Sequence, residues 1–358
     1  MSDERIHLVV LFGGQSAEHE VSCTTAAHVL GAADPDRYRI TPVGIGTDGS
    51  WAVASEAFSA LATPERRLPA RLDPTGEPIT PSGILAGVAG ATERTVVLPL
   101  LHGPMGEDGT VQGFLELADV AYVGSGVLGS ALAMDKAMAK HVLGAAGVAQ
   151  AGYAAFAEPD CTPSRLAEVV ARLGLPCFVK PANMGSSIGI TKAKSLDEVH
   201  DAVTHALSYD EWVVIEEAIE GREIEVAVIG GVEPFASVPG EIFPGAEFYS
   251  YDDKYLNGTS VGVVPADLSP ARTTEVRELA VQVFRALRCD GLARCDFFFE
   301  ERGRGFLCNE VNTMPGFTPI SMFPKMLMAS GWSYGEIIDR LVDLAVERHG
   351  RRRRNTKH

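Results

Sequence analysis

Four polar residues near the C-terminus have the spacing of a metal site. They belong to a predicted hairpin of strand, glycine-containing turn and strand, over Ala293–Glu300, Glu301–Gly305 and Phe306–Asn312. When the hairpin folds about Gly303, Asp296 lies opposite Glu310, and Arg294 lies opposite Asn312. Side chains alternate along a strand, so all four point to one face. Two carboxylates and an amide oxygen beside an arginine are suited to a hard cation such as Mg2+ on a nucleotide.

The same four residues could instead form the exposed polar face of a hairpin. Asp and Glu are uncommon in strands, and like charges in opposite positions destabilise a sheet, so the metal site is the favoured interpretation. A register shift of one residue would separate the pairs.

A second group of residues has the character of a phosphate site. Lys180 ends an apolar strand and precedes the small-residue turn PANMGSS. A lysine beside a turn with available backbone N–H groups favours anions. The turn lacks the P-loop spacing, and an ordinary glycine hairpin is the alternative. Together with Lys136, in a chain of net charge −16, the loop is interpreted as a phosphate site.

Three carboxylates lie at the ends of the two strands that follow. Glu216 and Glu217 end one strand and Glu223 begins the next. Carboxylates accept hydrogen bonds only, so they suit ribose hydroxyls or the lysine that faces the phosphates. Solvated strand ends are the alternative.

The N-terminal part contributes two further candidates. Glu18 lies in the first turn of a predicted helix, where an acid is also favoured by the helix dipole alone. His102 follows a strand in the glycine-rich loop LHGPMGEDGT, at the edge where open α/β sheets bind ligands. After Asn312, the segment TMPGFTPIS contains Pro315, Gly316 and Pro319, and its backbone N–H groups suit an oxyanion.

Bulk properties limit the class of protein. At 358 residues, with 46% hydrophobic and 22% charged residues, the chain predicts a globular enzyme of two or three domains. A net charge of −16 argues against nucleic acid and anionic membranes as partners. The basic C-terminus RRRRNTKH is predicted to be a solvated tail.

The cysteines indicate a cytoplasmic location. Six cysteines occur without a Cys-x-x-Cys pair or a zinc spacing: Cys23, Cys161, Cys177, Cys289, Cys295 and Cys308. The start of the chain carries no signal peptide, and no apolar run approaches the ~20 residues of a membrane span. We therefore expect free thiols in a reducing compartment.

The order of the elements predicts a mixed α/β and α+β architecture of three domains. A buried strand, the Gly13–Gly14 turn and a helix open a doubly wound parallel sheet over residues 1–134. Two strands, a helix and two further strands, the last over Arg222–Ile229, form a small α+β module at residues 135–222. Residues 223–350 contain the metal hairpin and a long lid loop over 239–263, and residues 351–358 are the tail. Thr63–Gly83 is predicted to be an inserted surface segment.

Together these residues resemble the D-alanine–D-alanine ligases of the ATP-grasp superfamily. Four segments carry the resemblance, in this order: Gly13–Ser22 (GGQSAEHEVS), His102–Gly113 (HGPMGEDGTVQG), Val179–Ile190 (VKPANMGSSIGI) and Arg294–Pro324. The resemblance covers nearly the whole chain. It implies the ATP-grasp fold and ligation of two D-alanines through an acyl phosphate, for peptidoglycan precursor synthesis, by a homodimer.

The resemblance implies roles for the residues around the nucleotide. Lys136 and Lys180 would contact the phosphates of ATP, with Ser186 and Ser187 in the loop above them. Adenine and ribose would be held by Glu216, Glu217, Ile219 and Glu223. Two Mg2+ ions, with Mn2+ as a substitute, would be bound by Asp296, Glu310 and Asn312.

It also implies roles around the amino acids. Glu18 would pair with the ammonium of the first D-alanine, near His102. Arg294 and the N–H of Gly316 would stabilise the tetrahedral oxyanion. The second D-alanine would bind near Lys254, Ser321 and Met322. Tyr255 would close the lid by hydrogen bonds to Ser186 and Glu18.

Several alternatives stay open at this point. A D-alanine–D-lactate ligase is the nearest, but such relatives lack the tyrosine found at Tyr255. A different ATP-grasp carboxylate–amine ligase is another. A nucleotide-binding regulatory protein without catalysis is disfavoured by the presence of Glu18, Arg294 and both metal carboxylates. A dehydrogenase built on Gly13–Gly14 is disfavoured because the dinucleotide fingerprint is missing.

Overall fold

Three sheets organise the chain. The structure is a computed structural model that describes residues 5–63, 66–84, 94–245 and 260–352. Within these ranges the strands form sheets of six, four and six strands. None of the described helices has the length and apolar character that crossing a bilayer requires.

The first sheet has the order β4-β3-β2-β1-β5-β6. Its strands are β1 (Ile6–Gly13), β2 (Tyr38–Ile45), β3 (Trp51–Ala54), β4 (Gly76–Pro78), β5 (Thr95–Pro99) and β6 (Ala121–Tyr122). Its helices are α1 (His19–Ala32), α2 (Ser55–Leu61), α3 (Thr110–Leu117) and α4 (Val127–Met134). The β2-β1-β5-β6 pairs are parallel, whereas β3 and β4 are antiparallel additions at one edge.

The buried strand β1 is covered on both faces. Leu8, Val10 and Phe12 pack in one core cluster with residues of α1, and Val9 and Leu11 pack in another with residues of α3. A strand enclosed in this way is apolar at successive positions, as the sequence of β1 is. The predicted doubly wound parallel sheet is confirmed.

The segment predicted as a surface insertion does lie largely at the surface, but it also contributes to the sheet and the core of this domain. Gly76–Pro78 pairs with β3, and Leu72 is buried in the core. Arg66 donates from its two terminal nitrogens to the carbonyls of Ala33 and Leu30, at 2.8 and 2.9 Å, at the C-terminal end of α1. This polar, proline-rich segment therefore forms an edge strand and supplies an arginine that caps α1.

The second sheet is antiparallel, with the order β7-β10-β8-β9. Its strands are β7 (Tyr153–Ala157), β8 (Cys177–Pro181), β9 (Thr191–Ala193) and β10 (Trp212–Glu217). Helices α5 (Lys136–Ala145), α6 (Pro163–Leu173) and α7 (Leu196–Leu207) accompany it. The prediction erred on the fourth strand: it is β7, and the strand that begins at Arg222 belongs to the third sheet.

The third sheet has the order β14-β13-β11-β15-β16, with β12 paired to β11. Its strands are β11 (Arg222–Gly230), β12 (Phe235–Ala236), β13 (Gly240–Phe243), β14 (Val261–Val263), β15 (Gly291–Glu300) and β16 (Gly305–Asn312). Its helices are α8 (Pro270–Ala286), α9 (Met322–Ala329) and α10 (Tyr334–Arg352). The predicted loop over 239–263 thus contains strands at both ends, and residues 246–259 lie outside the described residues.

The last helix extends into the segment predicted as a basic tail. Arg351 donates to Asp290 Oδ2 at 2.7 Å, and Arg352 donates to Glu116 Oε2 at 2.6 Å. The guanidinium of Arg348 lies 3.9 Å from the centre of the Tyr122 ring. The prediction of a solvated tail from residue 351 was therefore wrong for its first two residues, which continue α10 and pair with Asp290, just before β15, and with Glu116 of α3.

Candidate active site

One large cavity gathers most of the residues predicted to act. Its volume is about 740 Å³. The predicted residues that line it are Glu18, His102, Lys136, Ser186, Arg294, Glu310, Asn312, Gly316, Ser321 and Met322. They come from positions 18 to 322 of the sequence. The fold therefore brings segments from all three sheets to one place.

The metal hairpin pairs as the alternation of its residues predicted. Asp296 lies opposite Glu310, and Arg294 lies opposite Asn312. The register shifts between Asp296 and Phe297, just beyond the polar pairs. This irregularity leaves the polar side chains on one face of the strands, and Cys295 packs into the core on the other.

Arg294 is held along one edge of its guanidinium group. Nε donates to Asp296 Oδ1 at 2.8 Å, and Nη2 donates to Asp296 Oδ2 at 2.7 Å. Nε also lies 3.3 Å from Glu225 Oε1. Burial opposes the positive charge, but Asp296 and Glu225 outweigh it and hold the pKa of Arg294 well above its ordinary value. The arginine is a permanent cation at the floor of the cavity.

A chain of buried charges lies on the nucleotide side of the predicted site. Lys180 Nζ donates to Glu216 Oε2 at 3.0 Å, and Lys140 Nζ lies 3.3 Å from Glu216 Oε1. Burial would raise the pKa of Glu216, but the two lysines outweigh it and lower the pKa to about 2. The sequence predicted that a carboxylate here would face either a ribose hydroxyl or the lysine near the phosphates, and the structure shows Glu216 paired with that lysine, Lys180.

Lys140 is a residue that the sequence reasoning missed. It lies four positions after Lys136 in α5, and residues with this spacing lie on one face of a helix. Its side chain is almost completely buried. The sequence signal that could have identified Lys140 was its position, one helical turn after Lys136 on the same face of the predicted helix.

The turn after Lys180 has an unusual backbone. Ser186 and Ser187 have φ angles of 50° and 59°, in the left-handed region that non-glycine residues rarely adopt. Lys136 reaches the same turn, since its ammonium donates to the carbonyl of Met184. Consecutive strained residues of this kind are concentrated at ligand-binding sites.

His102 presents one defined nitrogen to the site. Nδ1 lies 2.9 Å from the carbonyl oxygen of Met314, which can only accept, so Nδ1 carries the hydrogen. Nε2 is buried and has no hydrogen-bond partner among the described residues. His102 and Glu18 both line the cavity, and Nε2 is the ring nitrogen that Met314 does not engage.

Glu107 connects the loop of His102 to the segment after the hairpin. Its carboxylate accepts from the N–H of Gly103 at 2.7 Å and from the N–H of Met314 at 3.1 Å. Burial, followed by the neighbouring charge of Glu18, raises its pKa to about 8. The sequence reasoning noted Glu107 only as a neighbour of His102.

The segment after the hairpin closes the amino-acid side of the cavity. Asn312 Oδ1 accepts from the N–H of Met314 at 3.1 Å. Ser321 Oγ accepts from the N–H of Thr318 at 3.2 Å, and α9 begins directly after it. Gly316 lies against this turn, because a Cβ there would be 3.2 Å from Ser321 Oγ.

The other predicted residues do not line the cavity or lie outside the described residues. Glu217 accepts from the N–H of Gly152 and from Arg304 Nη1, both at 2.6 Å. The predicted residues not found among the cavity lining are Asp296, Lys180, Ser187, Glu216, Glu217, Ile219 and Glu223. Asp296 is one hydrogen bond away through Arg294. Lys254 and Tyr255 lie in the part of the chain that is not described.

Comparisons with known proteins find similarity to D-alanine–D-alanine ligases along nearly the whole chain. A family model described as D-ala D-ala ligase N-terminus matches residues 7–125, and one described as D-ala D-ala ligase C-terminus matches residues 142–343. D-alanine–D-alanine ligase A of Bradyrhizobium diazoefficiens is 46% identical over 365 residues, covering 98% of this chain and 97% of its own. The D-alanine–D-alanine ligase of Bacillus licheniformis is 44% identical over 354 residues, covering 96% and 97%.

Solved structures give the same result for the fold. The D-alanine-D-alanine ligase from Coxiella burnetii superposes with a TM-score of 0.81 at 33% identity, covering 97% of this chain and 96% of its own. The VanG D-Ala:D-Ser ligase from Enterococcus faecalis has a TM-score of 0.82 at 33% identity, covering 95% and 99%. These are ATP-grasp proteins, so the predicted fold class is confirmed. With both family models matched, this chain belongs to the D-alanine–D-alanine ligase family.

Proposed function

We propose that the protein joins two D-alanines into D-alanyl-D-alanine, with ATP converted to ADP and phosphate. The observation that carries the proposal is the hairpin pairing of Arg294 and Asp296 with Asn312 and Glu310. Arg294, Glu310 and Asn312 line one cavity with Glu18 and Lys136. A carboxylate is a poor electrophile, so the first D-alanine is activated as an acyl phosphate. The amine of the second D-alanine then attacks the carbonyl carbon, and phosphate leaves.

On the nucleotide side, Lys136 and Lys180 neutralise the phosphates, under the turn that contains Ser186 and Ser187. Glu216, Glu217, Ile219 and Glu223 are assigned to adenine and ribose. Glu216 forms ion pairs with Lys140 and Lys180, which supports a further role for Glu216 in holding Lys180 in place. Removal of charge repulsion is the main requirement of phosphoryl transfer.

The donor set of the hairpin fits Mg2+. Asp296, Glu310 and Asn312 offer hard oxygen atoms, and nitrogen or sulfur ligands are not required. We assign these residues to two Mg2+ ions, replaceable by Mn2+, which would neutralise the transferred phosphoryl group.

On the amino-acid side, Glu18 pairs with the ammonium of the first D-alanine, beside His102. Arg294 and the N–H of Gly316 receive the charge that develops on the carbonyl oxygen. Each such donor lowers the barrier of acyl transfer by about 3–4 kcal/mol.

The second D-alanine is assigned to Ser321 and Met322. Lys254 and Tyr255 would cover it and exclude water from the acyl phosphate.

We further propose a cytoplasmic homodimer with small-molecule substrates and no nucleic-acid or membrane partner. The proposed domains are residues 1–134, 135–222 and 223–350. The use of ATP supports the location, and light scattering of the purified protein tests the dimer.

Phosphate release with ATP and Mg2+ tests the function. Release that depends on D-alanine and not on L-alanine, with D-alanyl-D-alanine as product, is the expected result. Mixtures of D-alanine with D-lactate and with D-serine separate the related ligase activities, because the products are an ester and a serine dipeptide. A dominant mixed product, or no dependence on D-alanine, would overturn the proposal.

A further inference from the structure

Three carboxylates form a row across the third sheet. Glu225 on β11 lies opposite Asp296 on β15, which lies opposite Glu310 on β16. Opposite residues of neighbouring strands point to the same face, so the row is continuous. Glu225 is 5% exposed and is not among the residues that line the cavity. It is the member of the row to which the proposed function assigns no role.

Arg294 uses only part of its guanidinium group to contact this row. Nε and Nη2 face Asp296, and Nε also faces Glu225 at 3.3 Å. Nη1 donates no hydrogen bond to any residue that the structure describes, and Arg294 lines the cavity. The arginine is anchored by one edge, and the other edge is available to a ligand.

Asp296 would serve two partners in the proposed function. Arg294 donates to both carboxylate oxygens of Asp296, and a divalent cation would share the remaining lone pairs of these oxygens and repel the guanidinium. Glu225 belongs to β11, one strand beyond the metal hairpin. Its carboxylate is outside the proposed metal set and lies 3.3 Å from Arg294 Nε, so it would remain as a counter-charge when Asp296 is shared with a cation.

We propose that Glu225 is a positioning residue, which holds Arg294 so that Nη1 points to the oxyanion. The inference rests on the proposed function, because it gives Arg294 its task. A buried guanidinium without a full counter-charge is unfavourable, so the carboxylate of Glu225 is needed once the charge of Asp296 is shared. Glu225 Oε1 lies 3.3 Å from Nε, on the same edge of the guanidinium that Asp296 contacts at two points, so it helps to hold the direction of the planar group.

Glu225→Gln tests the inference, with Glu241→Gln as its control. Glu241 lies on the neighbouring β13, is 4% exposed, and accepts from Arg222 Nε and Nη2, both at 2.7 Å. The control thus breaks the pair of a buried carboxylate with a partly exposed arginine, in the same sheet but outside the cavity. We expect Glu225→Gln to lower kcat about 10–100-fold, as is typical when a group that orients a reacting residue is lost. The KM for ATP of Glu225→Gln should stay within about twofold of wild type, because Glu225 is not assigned to the nucleotide. Glu241→Gln should leave kcat within about twofold, because Glu241 does not line the cavity.

A double-mutant cycle shows whether Glu225 acts through Arg294. In an Arg294→Lys background, Glu225→Gln should lower kcat by less than about threefold further, because the group that it positions is gone. If Glu225→Gln lowers kcat by the same factor in the wild-type and in the Arg294→Lys backgrounds, the inference is overturned. An unchanged kcat in Glu225→Gln alone would overturn it as well.

Binding without metal or ATP gives a second readout. A phosphinic-acid analogue of the dipeptide carries a tetrahedral oxyanion in the position of the reacting carbonyl, whereas D-alanine carries only its planar carboxylate. Calorimetry in metal-free buffer should show weaker binding of the analogue to Glu225→Gln, with D-alanine binding unchanged. Equal affinity of wild type and Glu225→Gln for the analogue would contradict the inference.

A conservative variant, Glu225→Asp, separates the effect of the carboxylate charge on kcat from an effect on folding. Glu225→Asp keeps the carboxylate and should retain a higher kcat than Glu225→Gln at an equal Tm. If the aspartate variant is no more active than the glutamine variant, the inference fails. A wild-type protein without D-alanine-dependent phosphate release would instead refute the proposed function.

Discussion

Lys140 and Glu216 form an ion pair that is almost completely enclosed. Nζ lies 3.3 Å from Oε1, and the two side chains are 2% and 4% exposed. The other carboxylate oxygen accepts a hydrogen bond from Lys180. Glu216 therefore connects a buried lysine to the lysine that we assign to the phosphates of ATP.

Replacing Lys140 should weaken the binding of ATP. Lys140→Met leaves Glu216 with Lys180 as its counter-charge, so Lys180 is drawn away from the phosphates. We expect the KM for ATP to rise about tenfold, which corresponds to ~1.4 kcal/mol. The free energy of unfolding should fall by about 3 kcal/mol, because a buried ion pair loses one partner. Steady-state kinetics and denaturant unfolding measure the two quantities.

Lys194→Met is the matched control, because Lys194 is an exposed lysine of the same part of the chain. It should change neither quantity. A destabilised Lys140→Met protein with an unchanged KM for ATP would mean that Lys140 serves folding alone.

The fold was predictable where pattern and burial agree. The alternation of Arg294 and Asp296 with Cys295 predicted the face of the metal hairpin, and the position of the turn at Gly303 predicted the register that the structure confirms. Short edge strands escaped prediction: Gly76–Pro78 and Val261–Val263 are three residues each and pair on one side only. Such strands bury little side-chain area, so their sequences carry no periodic signal.

The site was predictable as a set of residues but not as a set of contacts. The cavity gathers Glu18, His102 and Arg294 as expected. Glu225 was missed because its partner, Arg294, is distant along the chain. The spacing of Lys140 from Lys136 indicated a shared helix face, but its buried counter-charge, Glu216, is also distant along the chain.

The raised pKa of Glu107 predicts a dependence of stability on pH. Burial and the charge of Glu18 raise the pKa to about 8, so the folded protein holds a proton that an unfolded carboxyl of ordinary pKa 4.5 releases. This stabilisation is complete below pH 4.5 and is lost as the pH rises through about 8. One proton contributes at most about 1.4 kcal/mol per pH unit.

The free energy of unfolding of Glu107→Gln should therefore fall less steeply than that of wild type between about pH 5 and pH 8. Urea titrations at intervals across this range give both slopes. Parallel slopes would show that Glu107 is ionised in the folded protein throughout.

Loss of one hairpin carboxylate should stop the reaction without unfolding the protein. Glu310→Gln removes a negative oxygen from the proposed metal set, so D-alanine-dependent ADP release should be abolished while the Tm stays near that of wild type. Glu300→Gln is the control at the other end of the hairpin, where Glu300 accepts from Arg304 Nε at 2.9 Å and from Nη2 at 2.7 Å. An undiminished rate in Glu310→Gln would refute the metal assignment.

Gly262 should set the space for the second D-alanine through its contact with Met322. Both residues line the cavity, and a Cβ on Gly262 would lie 2.6 Å from Met322 Sδ. Because the thioether is flexible, Gly262→Ala should displace it rather than unfold the strand. We expect the KM of the second D-alanine to rise about fivefold, or ~1 kcal/mol, and the KM for ATP to stay constant.

Gly350→Ala provides the comparison, because no atom lies within 4 Å of a Cβ at that position. It should leave both KM values unchanged. A rise in the KM for ATP in Gly262→Ala would mean that the strand itself had moved. An unchanged KM for D-alanine would place the second substrate away from Met322. The D-alanine dependence of phosphate release, fitted to two sites, separates these outcomes.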